Sequence, residues 1–343
     1  KRAGMSRSSQ VEVVKVIARS PSAAGGLQDE SHFILWHQQF HELEYILEPG
    51  VTLYMIDGDL AYFVKTPKNI ELYDTQEYPF FYMAQQQMCS HVITMPLDNF
   101  LHLSSTLTMP QCQWATLLHV ARCGSTAVTQ CINKLPDWTV VAESCFIQKH
   151  FYDQECKNST DLNNYIQTER CFDVVEGCIK FMLKDFSSES KVLIKGFGIG
   201  DATLIPALTS RFPDQKIIWM QRDGINTAIS HFRALYSLSY DLTSVYFRYP
   251  LSSYFLQKAA SRIIFAITNG MMSEFAELIS PTVTSCDTLV LHYWRWITNS
   301  VQYERYHRLT SNICVYHFED FIADQAFVLT QVLVLVDATV WPA

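Results

Sequence analysis

Thr116-Leu117-Leu118-His119-Val120, Ala121-Arg122-Cys123-Gly124-Ser125-Thr126 and the run Ala127 to Leu135 form one continuous stretch. It reads as a buried strand, a tight turn with one glycine, and a helix that opens on Ser and Thr. A strand that enters a helix through such a turn aims free backbone N–H groups at one spot. The helix dipole adds partial positive charge there, and Arg122 adds a full one, so the stretch has the makings of a phosphate site. An ordinary strand–helix turn capped by Ser125 uses the same residues.

The turn is not a Walker A loop. That motif needs G-x-x-x-x-G-K-[ST], and here no lysine precedes Ser125 and no glycine stands at the required distance. A second stretch supports an anion site of another kind. Lys216-Ile217-Ile218-Trp219-Met220 is a buried strand, followed by Gln221, Arg222, Asp223 and Gly224. Ile225 to Leu235 then continues as a helix that carries Ser230.

Together the two stretches resemble the sulfotransferase superfamily, whose donor is 3′-phosphoadenosine 5′-phosphosulfate. In that family a loop of the type P-[KR]-S-G-[ST]-T holds the 5′-phosphosulfate. A later strand ends in Arg, with Ser eight residues on, and these hold the 3′-phosphate. Arg122, Cys123, Gly124, Ser125 and Thr126 match the loop, and Arg222 with Ser230 match the pair. Lys195, after Val192-Leu193-Ile194, resembles the lysine after the middle strand in the tyrosylprotein-type branch. The likeness runs from about Trp114 to Phe327. Cys123 stands where the family has Ser. Arg122 stands where the cytosolic branch has Lys. The late R-K-G-x-x-G segment of that branch is missing, which implies a donor pocket that is open or completed by the N-terminal segment.

Composition narrows the function classes. The chain has 343 residues, 48% of them hydrophobic, enough for one large α/β domain with an appendage or for two domains. Only 17% are charged and the net charge is −8. A nucleic-acid partner or a polyanionic glycan is therefore not expected, and any anion site has to be built locally against the global sign. The ten cysteines form no C-x-x-C pair, and no His cluster has zinc spacing, so buried free thiols are expected and a metal is not. No apolar run has the length of a membrane span. A cytoplasmic protein is the expectation. The Golgi lumen is the alternative if an upstream anchor was removed, because the chain begins with Lys and carries an Asn158-Ser159-Thr160 sequon.

Read in order, residues 1–31 are small and polar and suggest a flexible tail. Phe33, Trp36, Phe40, Leu43 and Leu47 recur at offsets of three and four, predicting an amphipathic helix over His32 to Leu47. Val51 to Val64 predicts two strands turning at Asp57-Gly58. Phe80 to Val92 predicts a helix with Gln85, Gln86 and Gln87 exposed, and Leu97 to Leu107 a short helix. Residues 32–112 are thus an N-terminal accessory α+β segment. From 113 to 343 strands alternate with helices: Trp138 to Ala142, then a partly helical stretch over Leu162 to Phe186. Lys191 to Ile194 follows, then a helix over Ala202 to Arg211, then Ile217 to Met220. That alternation predicts an α/β domain with a parallel sheet flanked by helices, of the P-loop nucleotide-binding type. Ligands of such sheets sit beyond the carboxyl ends of the strands. Arg122, Glu143, Lys195 and Arg222 each follow such an end. Tyr236 to Pro250 reads as a loop, Leu256 to Ile279 and Leu289 to Arg308 as helices, and Cys314 to Phe318 as a fifth strand. Glu319 and Asp320 read as caps of the last helix.

The resemblance implies transfer of a sulfuryl group to a hydroxyl or amine of a small-molecule or peptide acceptor. Arg122 and the N–H groups of Gly124, Ser125 and Thr126 would hold the 5′-phosphosulfate, Arg222 and Ser230 the 3′-phosphate. Lys195 would steady charge at the bridging oxygen. The base is Glu143, by likeness to the tyrosylprotein-type branch, with His231 and His150 as alternatives. A catalytically degenerate nucleotide-binding scaffold of the same fold and a P-loop small-molecule kinase are the competing functions.

Overall fold

The computed structural model describes residues 10–20, 30–68, 70–144, 168–196, 198, 201–238 and 285–337. His150, the sequon, the tyrosines at 240, 246 and 249, and the helix expected over Leu256 to Ile279 lie outside them.

Two five-stranded sheets organise these residues. The first half gives β1 (Gln10–Arg19), β2 (Phe33–Glu42), β3 (Val51–Asp57), β4 (Leu60–Lys65), α1 (Phe81–Met88), β5 (His91–Pro96) and α2 (Leu97–Thr106). Its sheet has the order β2-β1-β5-β4-β3, and every pairing in it is antiparallel. The β3–β4 hairpin turns at Asp57-Gly58 with Gly58 at φ 55°, as the Asp-Gly pair predicts.

Three expectations for this half differ from the structure. The expected tail contains β1, whose Val11, Val13, Val14 and Val16 are buried. The expected helix over His32 to Leu47 is the strand β2 followed by a short 3-10 turn at Leu43–Leu47. Phe33 is buried, whereas Trp36 is 70% exposed, so the three–four spacing is not a buried helical stripe. Pairing with β1 at nine positions satisfies the backbone instead. Gln85 and Gln86 are buried as well. Gln85 Nε2 donates to Thr52 Oγ1 at 2.8 Å and to the Leu53 carbonyl at 2.8 Å, which pins α1 to β3.

The second half gives β6 (Gln113–His119), α3 (Ser125–Ile132), β7 (Trp138–Ala142), α4 (Glu169–Leu183) and β8 (Lys191–Lys195). After a 3-10 turn at Asp201–Leu204 come α5 (Ile205–Arg211), β9 (Lys216–Gln221), α6 (Gly224–Leu238) and α7 (Ser285–Tyr306). The last described elements are β10 (Ile313–His317), α8 (Phe318–Ala323) and α9 (Gln325–Asp337). The sheet order is β10-β9-β6-β8-β7 and all four pairings are parallel, so the chain is α/β with a five-stranded parallel sheet flanked by helices. The central strands are nearly continuous apolar runs, as burial on both faces demands.

The two halves share one core. Phe63 of β4, Phe100 of α2 and Phe181 of α4 pack with ring centroids 5.1 to 6.1 Å apart. Gly177 on α4 makes room for them: a Cβ there would stand 2.9 Å from the Phe100 ring.

The topology marks one crevice. From β6 the chain leaves toward β7 on one side, and from β9 it leaves toward β10 on the other. Neighbours β6 and β9 thus flank the switch point, where α/β sheets take their ligands.

Candidate functional site

At the end of β6 the backbone makes an unusual turn. Ala121 (φ 59°), Arg122 (φ 52°) and Gly124 (φ 82°) are all left-handed. Gly124 caps α3, and the left-handed state costs a non-glycine residue about 1–2 kcal/mol. A third non-glycine outlier, Glu143 (φ 53°), follows the neighbouring strand end of β7. Strain concentrated at strand ends that carry charged side chains is characteristic of functional turns.

Cys123 is fully buried, and burial pushes its thiol up to about 11, with the Ser125 backbone N–H pulling the other way. Its side chain belongs to the core, and only its backbone lines the turn. Ser125 is also buried, whereas Arg122 is exposed.

Two clusters of polar groups flank the turn. In the first, Arg122 Nε donates to Ser230 Oγ at 3.1 Å, and Arg222 Nη1 donates to the Arg122 carbonyl at 3.0 Å. The Arg222 guanidinium lies 4.3 Å above the Phe318 ring, and its buried Nε has no hydrogen-bond partner among the described residues. The segment after β9 is held from behind, because Trp296 Nε1 donates to the Arg222 carbonyl at 2.9 Å. Asp223 Oδ1 caps α6 by accepting from Asn226 N–H at 2.9 Å. Glu319 does not cap its own helix as expected; its Oε1 accepts from Asp223 N–H at 3.3 Å. Asp320 makes no side-chain cap of α8 either, since that helix starts with none.

In the second cluster, Lys195 at the end of β8 is completely buried. Its Nζ donates to Glu143 Oε1 at 2.5 Å and to Thr126 Oγ1 at 3.0 Å. The Phe80 ring, from just before α1, stands 5.4 Å from the same Nζ, so the accessory half walls this side. Burial raises the Glu143 carboxyl above the usual range, against the opposing pull of Lys195 and Arg122.

Among the described residues, the structure thus brings the sequence-predicted site residues to the same sheet edge. His231 stands beside Ser230 and stacks on His292, centroids 4.8 Å apart, as a helix-face residue. Two residues escaped the sequence reading: buried His119 and buried Asp201. The signal available for them was the glycine spacing of Gly196 and Gly198 ahead of Asp201.

Chemically, the edge offers two guanidiniums, an ammonium and two hydroxyls beside a helix N-terminus, with one carboxylate of raised proton affinity. This suits a polyanionic ligand and a proton transfer. Among the described residues no group of side chains is arranged to hold a metal ion, and no helix is long and apolar enough to cross a membrane.

No protein-family model matches the chain, and no curated protein matches it. Among solved structures, the crystal structure of a sulfotransferase from Alicyclobacillus acidocaldarius is similar over 68% of this chain and 84% of that one, with 16% identity and a TM-score of 0.37. The functional reading therefore stands on the site geometry.

Proposed function

We propose that the chain is a sulfotransferase that takes a sulfuryl group from 3′-phosphoadenosine 5′-phosphosulfate and passes it to a hydroxyl or amine. The observation that carries this reading is the pairing of two clusters across one left-handed turn. Arg122, Arg222 and Ser230 stand on one side, Lys195, Glu143 and Thr126 on the other. A nucleotide with phosphates at both ends needs two cationic positions; Arg222 beside Ser230 and Arg122 on the turn would provide them. The buried Nε of Arg222, without a partner among the described residues, supports the fit, since an anion would satisfy it. Bidentate guanidinium recognition suits a phosphate dianion.

In this reading Arg122 and the N–H groups of Gly124, Ser125 and Thr126 bind the 5′-phosphosulfate, while Arg222 and Ser230 bind the 3′-phosphate. Glu143 accepts the proton of the acceptor as the new S–O or S–N bond forms. The old S–O bond breaks toward the 5′-phosphate, where Lys195 offsets the charge that develops. Adenosine 3′,5′-bisphosphate leaves.

Transfer of radiolabelled sulfuryl from the donor to a panel of hydroxyl and amine acceptors tests the proposal, with ATP and magnesium as the competing donor. The proposal requires labelled product from wild type and its loss in Glu143→Gln. Phosphoryl transfer from ATP instead would replace the reading with the kinase, and donor binding without turnover on any acceptor would replace it with the scaffold.

A further inference from the structure

Beneath the turn lies an imidazole that this chemistry leaves out. His119, the last residue of β6, is 2% exposed. Its backbone N–H donates to Asp201 Oδ2 at 3.0 Å. Its Nδ1 accepts from the Ala121 N–H at 3.0 Å, and its Nε2 stands 3.1 Å from the Gly196 carbonyl. An N–H on one side and a carbonyl on the other leave one arrangement: a neutral ring with the proton on Nε2. Burial and the nearby Lys195 charge favour that neutral form, pushing the imidazole well below its ordinary range.

The surrounding chain is shaped to this ring. A Cβ on Gly198 (φ +84°) would lie 2.5 Å from His119 Cε1 and 2.7 Å from Ala121 Cβ. A Cβ on Gly196 would collide with the Asp201 carboxylate. The ring's two nitrogens reach two different parts of the site. Nδ1 holds Ala121, the first left-handed residue of the turn that throws Arg122 outward. Nε2 holds the residue after Lys195.

We propose that His119 is a positioning residue of the sulfonucleotide site, whose Nδ1 sets the Arg122 turn by accepting from Ala121, while its Nε2–H, held by the Gly196 carbonyl, fixes the tautomer that makes Nδ1 an acceptor. The inference rests on the function proposed above. The two nitrogens can be separated by substitution. His119→Asn keeps an acceptor near the Nδ1 position and loses the bond to Gly196. His119→Gln keeps a donor near the Nε2 position and loses the bond to Ala121. A merely space-filling histidine predicts no such asymmetry.

The test is calorimetric titration of adenosine 3′,5′-bisphosphate into the full chain, as wild type, His119→Asn and His119→Gln. It is joined by ring ¹⁵N NMR of the wild type. Binding should weaken about tenfold or more in the Gln variant and less than about threefold in the Asn variant. The wild-type ring should stay neutral with the proton on Nε2 across the range in which a free histidine titrates, and shift its resonances on binding. Equal weakening in both variants, or in neither, while wild type binds would overturn the role of His119 alone. A wild type that ignores the bisphosphate would sink the donor reading, and the positioning role with it. If neither variant folds, the wild-type spectrum decides: a ring that titrates or does not respond to the ligand overturns the inference.

Discussion

Replacing Lys195 by Met probes the buried pair at the centre of the account. Lys195 is completely buried, and its Nζ lies 2.5 Å from Glu143. At an effective dielectric of about 20, two unit charges at that distance attract by roughly 7 kcal/mol. Desolvating both ions costs several kcal/mol each, so the intact pair is close to neutral against an apolar pair of the same size. Removing one partner is different, because the remaining charge keeps its desolvation cost and loses the attraction. Lys195→Met should therefore destabilise the fold by about 3–5 kcal/mol, measured by urea unfolding near neutral pH. The double variant Lys195→Met/Glu143→Leu should recover to within about 1 kcal/mol of wild type. The pH dependence has a definite sign. Burial already raises the folded Glu143 carboxyl above its unfolded value, and loss of Lys195 raises it further. The single variant should thus regain stability as pH falls toward the unfolded carboxyl range and lose it as pH rises through the folded value. A single variant as stable as wild type, or a double variant as unstable as the sum of the two single ones, would refute the argument.

Gly124→Ala should cost about 1–2 kcal/mol for the left-handed backbone and a further ~1–3 kcal/mol for the Cβ, which would stand 2.7 Å from the Phe318 ring. Adding Phe318→Ala in the Gly124→Ala background should remove the steric share and leave the backbone share, read by the same unfolding curves. His119 makes the fold acid-sensitive. Its folded pKa is depressed, so its contribution is present above the unfolded value and lost as pH falls, with a limiting slope of about 1.4 kcal/mol per pH unit. The stability difference between wild type and His119→Gln should narrow steadily below about pH 6.5, and a constant difference would contradict the neutral ring. Gly177→Ala should destabilise by about 1–3 kcal/mol by pushing Phe100 out of the core the two halves share. Thermal unfolding followed in both halves should then fall together, and separate transitions would contradict a common core.

The parallel sheet was legible because its strands are apolar runs ending in polar turns. Trp138–Ala142 is read to the residue, and Lys191 to Ile194 falls one short of the strand end. The charged edge was legible for the same reason, since Arg122, Glu143, Lys195 and Arg222 all stand directly after such runs. The accessory half was less so. Phe33, Trp36 and Phe40 fit a helical period, but the partner that makes them a strand is β1, more than a dozen residues away and hidden in what reads as a tail. Tertiary pairing overrode the local pattern. Gln85 reads as a surface residue because its partners, Thr52 and Leu53, are about thirty positions upstream. His119 reads as one more core residue of a strand. Its role comes from Ala121, Gly196 and Asp201, which only the fold brings around the ring.

In the proposed function the switch-point crevice recognises a nucleotide by its 3′-phosphate through Arg222. Calorimetric titration of adenosine 3′,5′-bisphosphate and of adenosine 5′-monophosphate into wild type and Arg222→Ala tests it most directly. Wild type should prefer the bisphosphate by about tenfold to a hundredfold, the worth of a charge-assisted contact of ~1.5–3 kcal/mol, and Arg222→Ala should lose that preference. Equal affinity of wild type for the two nucleotides, or an undiminished preference in Arg222→Ala, would contradict it.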